Sequence, residues 1–288
     1  MEIVRTLEEL HAARKKLEGT VGLVPTMGFL HAGHISLVKK AAETCSHVVV
    51  SIFVNPTQFG PTEDFAAYPR DLDKDVALLK EAGVDIVWAP TEDVMYPAGY
   101  QTYITVEDVT RVLEGAMRPT HFKGVTTVVA KLFNAVQPDK AFFGQKDAQQ
   151  VVVLSRMVKD LNYNLEMVVC PIVREQDGLA LSSRNTYLDT AQRKAAVVLS
   201  RSLRKARAVF ASGERSSRVI RAEMDTLFAA EPLVKVQYIS IADPDTLQEV
   251  EKIDRLALVS MAVYVGKTRL IDNTILGKID TGLDDLHP

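Results

Sequence analysis

One stretch near the N-terminus, Pro-Thr-Met-Gly-Phe-Leu-His-Ala-Gly-His at residues 25–34, constrains this chain more than any other. It follows a short apolar run, Val21–Val24, that has the pattern of a buried strand, and it leads into a helical pattern from Ile35 to Cys45. The first N–H groups of a helix lack internal partners, and the helix dipole is positive there. A strand–turn–helix junction of this kind accepts phosphate.

Two glycines and two histidines give this junction its chemistry. Gly28 and Gly33 carry no Cβ, so the backbone can approach a ligand closely. His31 and His34 are three residues apart, so on a first helical turn they share one face and can reach one ligand. Such a pair also suits a helix cap or half a metal site. The context favours nucleotide binding, and His-x-Gly-His resembles the ATP-binding signature of the nucleotidyltransferase superfamily that includes class I aminoacyl-tRNA synthetases.

The composition is that of an ordinary soluble protein. Of the 288 residues, 47% are apolar and 25% charged, and no apolar stretch approaches the roughly 20 residues that span a bilayer. The net charge of −3 argues against a nucleic-acid surface. Cys45 and Cys170 have neither a Cys-x-x-Cys nor a zinc spacing. Free thiols, and an N-terminus without a signal-peptide pattern, predict a cytoplasmic protein.

The first half of the chain alternates strand and helix patterns, which predicts a parallel sheet covered on both faces. The first helix pattern, Thr6–Leu17, opens with Thr6 and Glu9 at the spacing of a capping box. Further strands are predicted at His47–Val54, Val84–Pro90, Lys140–Phe143 and Leu165–Cys170, with helices over 71–82, over 125–136 and up to about residue 161.

Polar residues follow the carboxyl ends of these strands, where parallel sheets bind ligands. Asn55 is interpreted as a turn residue that stops its strand, whereas Gln58 is a candidate substrate contact. Lys146 follows the strand that ends at Gly144. A cation is unfavourable at a helix N-terminus, so a nearby anion explains this lysine better than simple exposure does. Gln150, one turn into that helix, is predicted to line the same pocket as Gln58.

Two polar groups leave alternatives open. Asp71, Asp73 and Asp75 begin a predicted helix, where carboxylates complement the dipole; magnesium binding is the less favoured alternative. His121 and Lys123 lie in an irregular stretch over residues 91–124, and either they meet phosphate or they are solvated loop residues.

Beyond residue 185 the pattern changes. Two long amphipathic helices, over 190–211 and 216–230, precede strand patterns at Lys235–Ile241, Leu256–Val265 and Thr268–Asp272. We therefore expect an α/β fold, with a Rossmann-like parallel sheet domain over residues 1–185 and a smaller C-terminal α+β domain over residues 186–288. The tail 280–288 has no clear apolar face and is expected to fray.

Several segments, taken together and in order, resemble the pantothenate synthetase (pantoate–β-alanine ligase) family. They are residues 25–34, 53–59, 68–70, 142–147, 149–150 and 181–185. The resemblance extends over nearly the whole chain. It implies a ligase that condenses (R)-pantoate with β-alanine and converts ATP to AMP and diphosphate through a pantoyl-adenylate.

The resemblance also implies ATP as a substrate, Mg²⁺ as a cofactor and a homodimer. The net charge and the lack of a long apolar stretch predict no nucleic-acid or membrane partner. A nucleotidyltransferase of the same superfamily that acts on another small substrate is the alternative. A non-catalytic nucleotide-sensing module and a synthetase-like RNA binder represent a different class, which the net charge and the set of polar residues disfavour.

Residue roles follow from the resemblance. His34 matches a catalytic position, and His31 and Lys146 join it because they can neutralise charge on the phosphates. Gln58 and Gln150 match pantoate-binding positions. The matching ATP contacts are Met27, Gly28, Phe29, Leu30, His31, Ala32, Gly33, His34, Gly144, Gln145, Lys146, Asp147, Val173, Leu181, Ser182, Ser183 and Arg184. Gln145 is expected to offer its backbone, no protein ligand of a metal is assigned, and the C-terminal domain is expected to close over the site.

Overall fold

The structure is a computed structural model that describes residues 1–61 and 63–277, so the expectation for the tail 280–288 lies outside the described residues. The chain forms two compact units. The first comprises Met1–Gly144 and Gln150–Cys170 among the described residues; the second comprises Gln145–Gln149 and the described residues from Pro171 to Gly277. Within the described residues, no helix combines the length and apolar character needed to cross a membrane.

The first unit is built on a six-stranded, fully parallel sheet, which confirms the Rossmann-like prediction. The strands are β1 (Glu2–Val4), β2 (Val21–Thr26), β3 (His47–Ile52), β4 (Ile86–Trp88), β5 (Lys140–Gly144) and β6 (Glu166–Cys170). Their spatial order is β1-β4-β3-β2-β5-β6. The chain moves from β2 outward in one direction and from β5 in the other, so the order reverses between these two strands, where open α/β sheets bind ligands.

Helices cover both faces of this sheet, because neighbouring strand residues point to opposite sides. The helices are α1 (Leu7–Arg14), α2 (Ala32–Thr44), α3 (Leu72–Glu81), α4 (Glu92–Met95), α5 (Leu113–Met117), α6 (His121–Val136) and α7 (Ala148–Asp160). Leu23 and Val49 pack into one core with α1 and α6, whereas Val24 and Val50 pack into another with α2 and α3.

Local signals predicted these elements unevenly. The capping box of α1 is present, with Glu9 N–H donating to Thr6 Oγ1 at 3.1 Å. Strand β1 was missed, because three residues at a sheet edge show no periodicity, and Ile3 is 46% exposed. Helix α6 begins at His121, four positions before the apolar pattern indicates, so part of the predicted irregular stretch is helical.

The second unit contains the predicted α+β module. Its antiparallel sheet has the order β7-β8-β9, from β7 (Val234–Ala242), β8 (Ala257–Val265) and β9 (Thr268–Leu276). One face packs on helices through Leu199, Leu203, Met224, Val259 and Met261. The predicted helix over 190–211 is two helices, and the helices are α8 (Thr190–Ala195), α9 (Val198–Ala211) and α10 (Ser217–Ala229).

The division into units differs from the expected boundary near residue 185. Residues 171–185 and Gln145–Gln149 group with the second unit. The physical reason is a set of bonds to β9, in which Asp272 pairs with Arg174 and Asn273 bonds the backbone of Gln145. The proposed lid role of residues 186–288 stays a prediction.

Candidate active site

The turn between β2 and α2 is held by one buried carboxylate. Phe29 N–H donates to Asp75 Oδ2 at 2.8 Å, and Leu30 N–H donates to Asp75 Oδ1 at 2.7 Å. Asp75 lies on α3 and is 1% exposed. Burial raises the pKa of this carboxyl, and the two N–H bonds counteract that rise. Both oxygens of Asp75 therefore serve the backbone of the turn.

Glycine is required at the start of this turn. Gly28 has a φ of +80°, and Phe29 follows with a φ of +52°. A Cβ at Gly28 would lie 3.0 Å from Asp75 Oδ2 and 3.0 Å from a methyl carbon of Ile52. Any side chain here would combine backbone strain with a close contact to the carboxylate that holds the turn.

The two histidines of the turn present the same ring nitrogen. His31 Nδ1 accepts from Gly33 N–H at 3.1 Å, and His34 Nδ1 accepts from His31 N–H at 3.3 Å. His31 is the N-cap of α2, and the ring centroids lie 4.1 Å apart. Because both Nδ1 atoms accept, the neutral rings carry their protons on Nε2. The first unit therefore brings His31 and His34 together as two N–H donors at a helix N-terminus, where phosphate binds.

Gln58 contacts the same turn from the end of β3. Its Oε1 accepts from Asn55 Nδ2 at 3.1 Å, and its Nε2 lies 3.0 Å from Met27 Sδ. Two predicted site residues, Met27 and Gln58, are thus in contact. Asn55 is 1% exposed and caps a short 3-10 helix, Pro56–Gln58. The interpretation of Asn55 as a simple strand stop was incomplete, because its amide also orients Gln58.

The N-terminus of α6 supports the backbone of Gln58. The backbone carbonyl oxygen of Gln58 lies 2.9 Å from His121 Nδ1 and accepts from Arg118 Nη2 at 3.3 Å. Because a carbonyl only accepts, His121 carries its proton on Nδ1, and its Nε2 accepts from Arg118 Nη1 at 3.2 Å. Burial, followed by the Arg118 charge, lowers the pKa of His121 to about 4. Arg118 also makes two 2.6 Å bonds to Glu63.

Neither sequence alternative describes His121, which is a partly buried structural donor rather than a solvated loop residue. Lys123 is exposed, with its Nζ 4.5 Å from the Tyr103 ring centroid. Gly124 completes the close contact between α6 and the Gln58 turn. A Cβ there would lie 2.4 Å from Thr57 O and 2.6 Å from Gln58 N, so the helix could not approach with any side chain at this position.

In the second unit, Asn273 of β9 holds the loop that carries Lys146. Asn273 Nδ2 donates to the carbonyl oxygens of Gln145 and Lys146 at 3.0 and 2.9 Å. Its Oδ1 accepts from Gln145 Nε2 at 3.2 Å. Lys146 keeps its ammonium 4.0 Å from the Asp147 carboxylate. The side chain of Gln145 is therefore used to fix this loop.

An ion pair buried next to Asn273 fixes β9. Arg174 donates to both oxygens of Asp272 at 2.7 and 2.9 Å, and its side chain is 8% exposed whereas that of Asp272 is fully buried. The hairpin that contains Arg174 also joins two predicted ATP contacts, because Leu181 N–H donates to Val173 O at 2.9 Å.

Of the remaining predicted site residues, Ser182 and Arg184 belong to the second unit and Gln150 belongs to the first. Ser182 caps a 3-10 helix, Ser183–Tyr187, by accepting from Arg184 N–H at 3.3 Å. Gln150 is half-buried on α7 of the first unit. The shared pocket for Gln58 and Gln150, and the ATP roles of the second-unit residues, stay predictions.

Neither thiol is an activated nucleophile. Burial raises the pKa of Cys170 to about 11 and also raises that of Cys45. The described residues also contain no group of three or more His, Cys, Asp or Glu side chains placed to hold a metal ion. Asp71 caps α3 by accepting from Lys74 N–H at 3.1 Å, and Asp75 holds the turn. Asp71 and Asp75 thus have structural uses, and the magnesium alternative for the three aspartates stays a prediction.

Comparison with known proteins gives one consistent result. The sequence profile described as "Pantoate-beta-alanine ligase" matches residues 2–275. A pantothenate synthetase of Herpetosiphon aurantiacus is 56% identical over 277 residues, which cover 96% of this chain and 100% of that protein. One from Acetivibrio thermocellus is 52% identical over 279 residues, which cover 96% of this chain and 99% of that protein.

Solved structures agree. A pantothenate synthetase from Thermus thermophilus superposes with a TM-score of 0.91 at 48% identity and covers 95% of this chain and 99% of its own. A pantoate–β-alanine ligase from Francisella tularensis, complexed with "Beta-gamma ATP" and β-alanine, has a TM-score of 0.80 at 36% identity and covers 96% of this chain and 97% of its own. This chain belongs to the pantoate–β-alanine ligase family.

Proposed function

We propose that this protein condenses (R)-pantoate with β-alanine and converts ATP to AMP and diphosphate through a pantoyl-adenylate. The observation that carries the proposal is the turn after β2. There, His31 and His34 form an N–H donor pair at the start of α2, and Gln58 contacts the same turn. The Francisella relative was solved with an ATP species and β-alanine, which supports these ligands for the present chain.

In the first step, a carboxylate oxygen of pantoate attacks the α-phosphorus of ATP. The bond from this phosphorus to the bridging oxygen breaks, and diphosphate leaves. Both reactants are anions, so positioning and charge stabilisation matter more than a protein nucleophile. We assign this stabilisation to the N–H donors of His31 and His34 and to Lys146, and we assign pantoate binding to Gln58 and Gln150. The raised thiol pKa values support a step without a covalent enzyme intermediate.

In the second step, the neutral amine of β-alanine attacks the acyl carbon of the adenylate. The bond from the acyl carbon to the phosphate oxygen breaks, AMP leaves, and the nitrogen releases one proton to solvent. The proposal gives Ser182, Ser183 and Arg184 anion contacts, because hydroxyl and guanidinium donors suit phosphate and carboxylate oxygens. The other ATP contacts are those named from the resemblance.

Mg²⁺ belongs to the proposal as the ion that accompanies the phosphates of ATP. The described residues form no cluster of three ligands for it, so we assign no step to a protein-held metal. We also propose a cytoplasmic homodimer, on the family resemblance alone. Sedimentation of the purified protein tests the dimer, since a monomer at micromolar concentration contradicts it.

Product analysis tests the reaction. The protein is incubated with ATP, Mg²⁺ and pantoate, and β-alanine is added afterwards, with nucleotides and acyl products followed by mass spectrometry. We expect diphosphate and a bound pantoyl-adenylate first, then AMP and pantothenate. His34→Ala and Lys146→Ala are expected to fold normally and to lose adenylate formation. Wild-type rates in either variant would contradict the assignment of the α-phosphate contacts.

The alternative, a nucleotidyltransferase acting on another small substrate, predicts a different outcome. Such an enzyme leaves the nucleotide on its product, so β-alanine would release no AMP. The Met27–Gln58 contact favours the ligase, because an amide beside the nucleotide turn suits the oxygens of a small hydroxy acid.

A further inference from the structure

The amide of Asn55 has every hydrogen-bonding position filled. Its Nδ2 donates to Gln58 Oε1 and to Gly124 O, both at 3.1 Å. Its Oδ1 accepts from Tyr96 OH at 2.8 Å and from Thr57 Oγ1 at 2.9 Å. A side-chain amide offers two donors and about two acceptor sites, so this buried amide has no capacity left for another orientation.

The partners of Asn55 determine which way its amide points. The Gly124 carbonyl can only accept, so it must face Nδ2. The two hydroxyl groups then meet Oδ1 as donors. Burial raises the pKa of Tyr96 to about 12, so its hydroxyl keeps its proton over the whole working range. Reversing the Asn55 amide would place its oxygen against the Gly124 carbonyl oxygen and its NH₂ group against the Tyr96 hydroxyl, whose hydrogen would then have to turn to Thr57 Oγ1, 3.2 Å away.

The fixed orientation of the Asn55 amide also determines the orientation of the Gln58 amide. Since Asn55 directs an N–H to it, Gln58 must offer Oε1, and its Nε2 then points to the other side. There Nε2 meets Met27 Sδ at 3.0 Å, and a thioether is a weak acceptor that a ligand oxygen can replace. Gln58 is therefore poised as a donor towards the turn that carries His31 and His34.

We propose that Tyr96 is a positioning residue that, through Asn55, fixes Gln58 with its NH₂ group towards the substrate. The subsite therefore selects an acceptor, such as a carboxylate or hydroxyl oxygen of a small hydroxy acid, and disfavours a donor such as an ammonium group. The inference rests on the proposed function, which places pantoate at Gln58.

The chain supplies a matched control for Tyr96. The rings of Tyr96 and Tyr100 pack edge to face with centroids 5.1 Å apart, and Phe53 flanks Tyr96 at 6.3 Å. Phenylalanine at either position keeps this packing. Within the described residues, however, the Tyr100 hydroxyl makes no hydrogen bond, whereas the Tyr96 hydroxyl bonds Asn55. Tyr96→Phe and Tyr100→Phe thus differ in the loss of one oriented donor.

The first measurement is the KM for pantoate, the KM for ATP and kcat in the wild type and both tyrosine variants. We expect Tyr96→Phe to raise the pantoate KM by about 5- to 10-fold, the value of one hydrogen bond, with the ATP KM within about twofold of wild type. Tyr100→Phe should match the wild type. Equal pantoate KM values in the two variants would overturn the inference. So would a rise in the ATP KM of Tyr96→Phe as large as the rise in its pantoate KM.

A double-mutant cycle separates orientation from general loosening. Gln58→Glu removes the donor, so Tyr96→Phe has nothing left to orient and should add less than about twofold in that background. A purely structural role for Tyr96 predicts the same factor in both backgrounds, which would contradict the inference. Thr57→Val should resemble Tyr96→Phe, and Thr57→Ser should retain wild-type kinetics. A wild-type protein without pantoate-dependent turnover would instead refute the proposed function, and this inference with it.

Discussion

The two loops that carry the predicted phosphate-binding side chains are held by opposite chemistry. In the first unit, the turn with His31 is held by an acceptor, because the Asp75 carboxylate takes two backbone N–H groups. In the second unit, the loop with Lys146 is held by a donor, because the neutral amide of Asn273 takes two backbone carbonyls. We call Asp75 and Asn273 the clamps of these two loops. The Asp75 clamp is a buried carboxylate, whereas the Asn273 clamp is a neutral amide next to the buried Arg174–Asp272 ion pair.

This difference has energetic consequences. Removing a buried carboxylate breaks charge-assisted hydrogen bonds, so it should lower the free energy of unfolding more than removing a neutral amide does. The ion pair Arg174–Asp272, which lies next to Asn273, carries a larger penalty than either clamp if one partner is lost.

The largest expected effect is that of Asp272→Ala. It leaves the guanidinium of Arg174 buried without its carboxylate, so the free energy of unfolding should fall by about 3–5 kcal/mol. Urea denaturation measures the loss. The double variant Arg174→Met with Asp272→Leu removes both charges and should lose far less. An equal loss in the single and double variants would show that packing, and not the unpaired charge, dominates at β9.

Asp75→Ala should cost about 2–3 kcal/mol of unfolding free energy, because Phe29 and Leu30 lose their acceptor. The displaced turn should also lower ATP-dependent turnover by about 100-fold. The control is Asp73→Ala, an exposed carboxylate on the same helix, which should stay near wild type in both measurements. If diphosphate release were as fast with Asp75→Ala as with Asp73→Ala, the clamp would have no role in positioning.

Asn273→Ala should cost about 1–3 kcal/mol, because two carbonyls in the Lys146 loop lose a neutral donor. The matched control is Ser260→Ala directly opposite on β8, since the Ser260 hydroxyl is buried with no partner among the described residues. Thermal unfolding and kcat/KM for ATP compare the two variants. A larger loss of stability in Ser260→Ala than in Asn273→Ala would show that side-chain packing at this pair of residues matters more than the Asn273 hydrogen bonds.

The smallest expected effect is a pH dependence in the first unit. The His121 pKa is about 4 in the fold and about 6.5 when unfolded, so the unfolded chain binds more protons between these values. Stability should therefore fall as the pH drops through this window, by about 1–2 kcal/mol between pH 7 and pH 5. In His121→Gln, which removes the titration, the decline should be shallower. The same slope in both proteins would exclude His121 as its source.

Features with local signals were predictable from the sequence. The capping box needs only Thr6 and Glu9 at the right spacing, and buried parallel strands show continuous apolar runs. The His-x-Gly-His turn and the loop after β5 were found because each lies at a strand end followed by a helix. Edge strand β1 gave no such signal.

The clamps were not predictable, because their partners are far apart in the chain. Asp75 is 46 positions from Phe29, and Asn273 is 128 positions from Gln145. The sequence pattern favours Asp75 as a dipole partner of α3 or, less so, as a magnesium ligand, and neither use explains its bonds to the turn. Tyr96 gave no signal at all, since its role depends on the fold bringing α4 to the end of β3.

The central claim, activation of pantoate as an adenylate, is tested most directly by following the carboxylate oxygen. Pantoate labelled with ¹⁸O in its carboxylate is converted with ATP, Mg²⁺ and β-alanine, and the products are weighed by mass spectrometry. Adenylate formation predicts one ¹⁸O atom in each AMP, because the attacking oxygen stays on phosphorus when the amine displaces AMP. Label in inorganic phosphate together with ADP would contradict it and would indicate an acyl-phosphate instead.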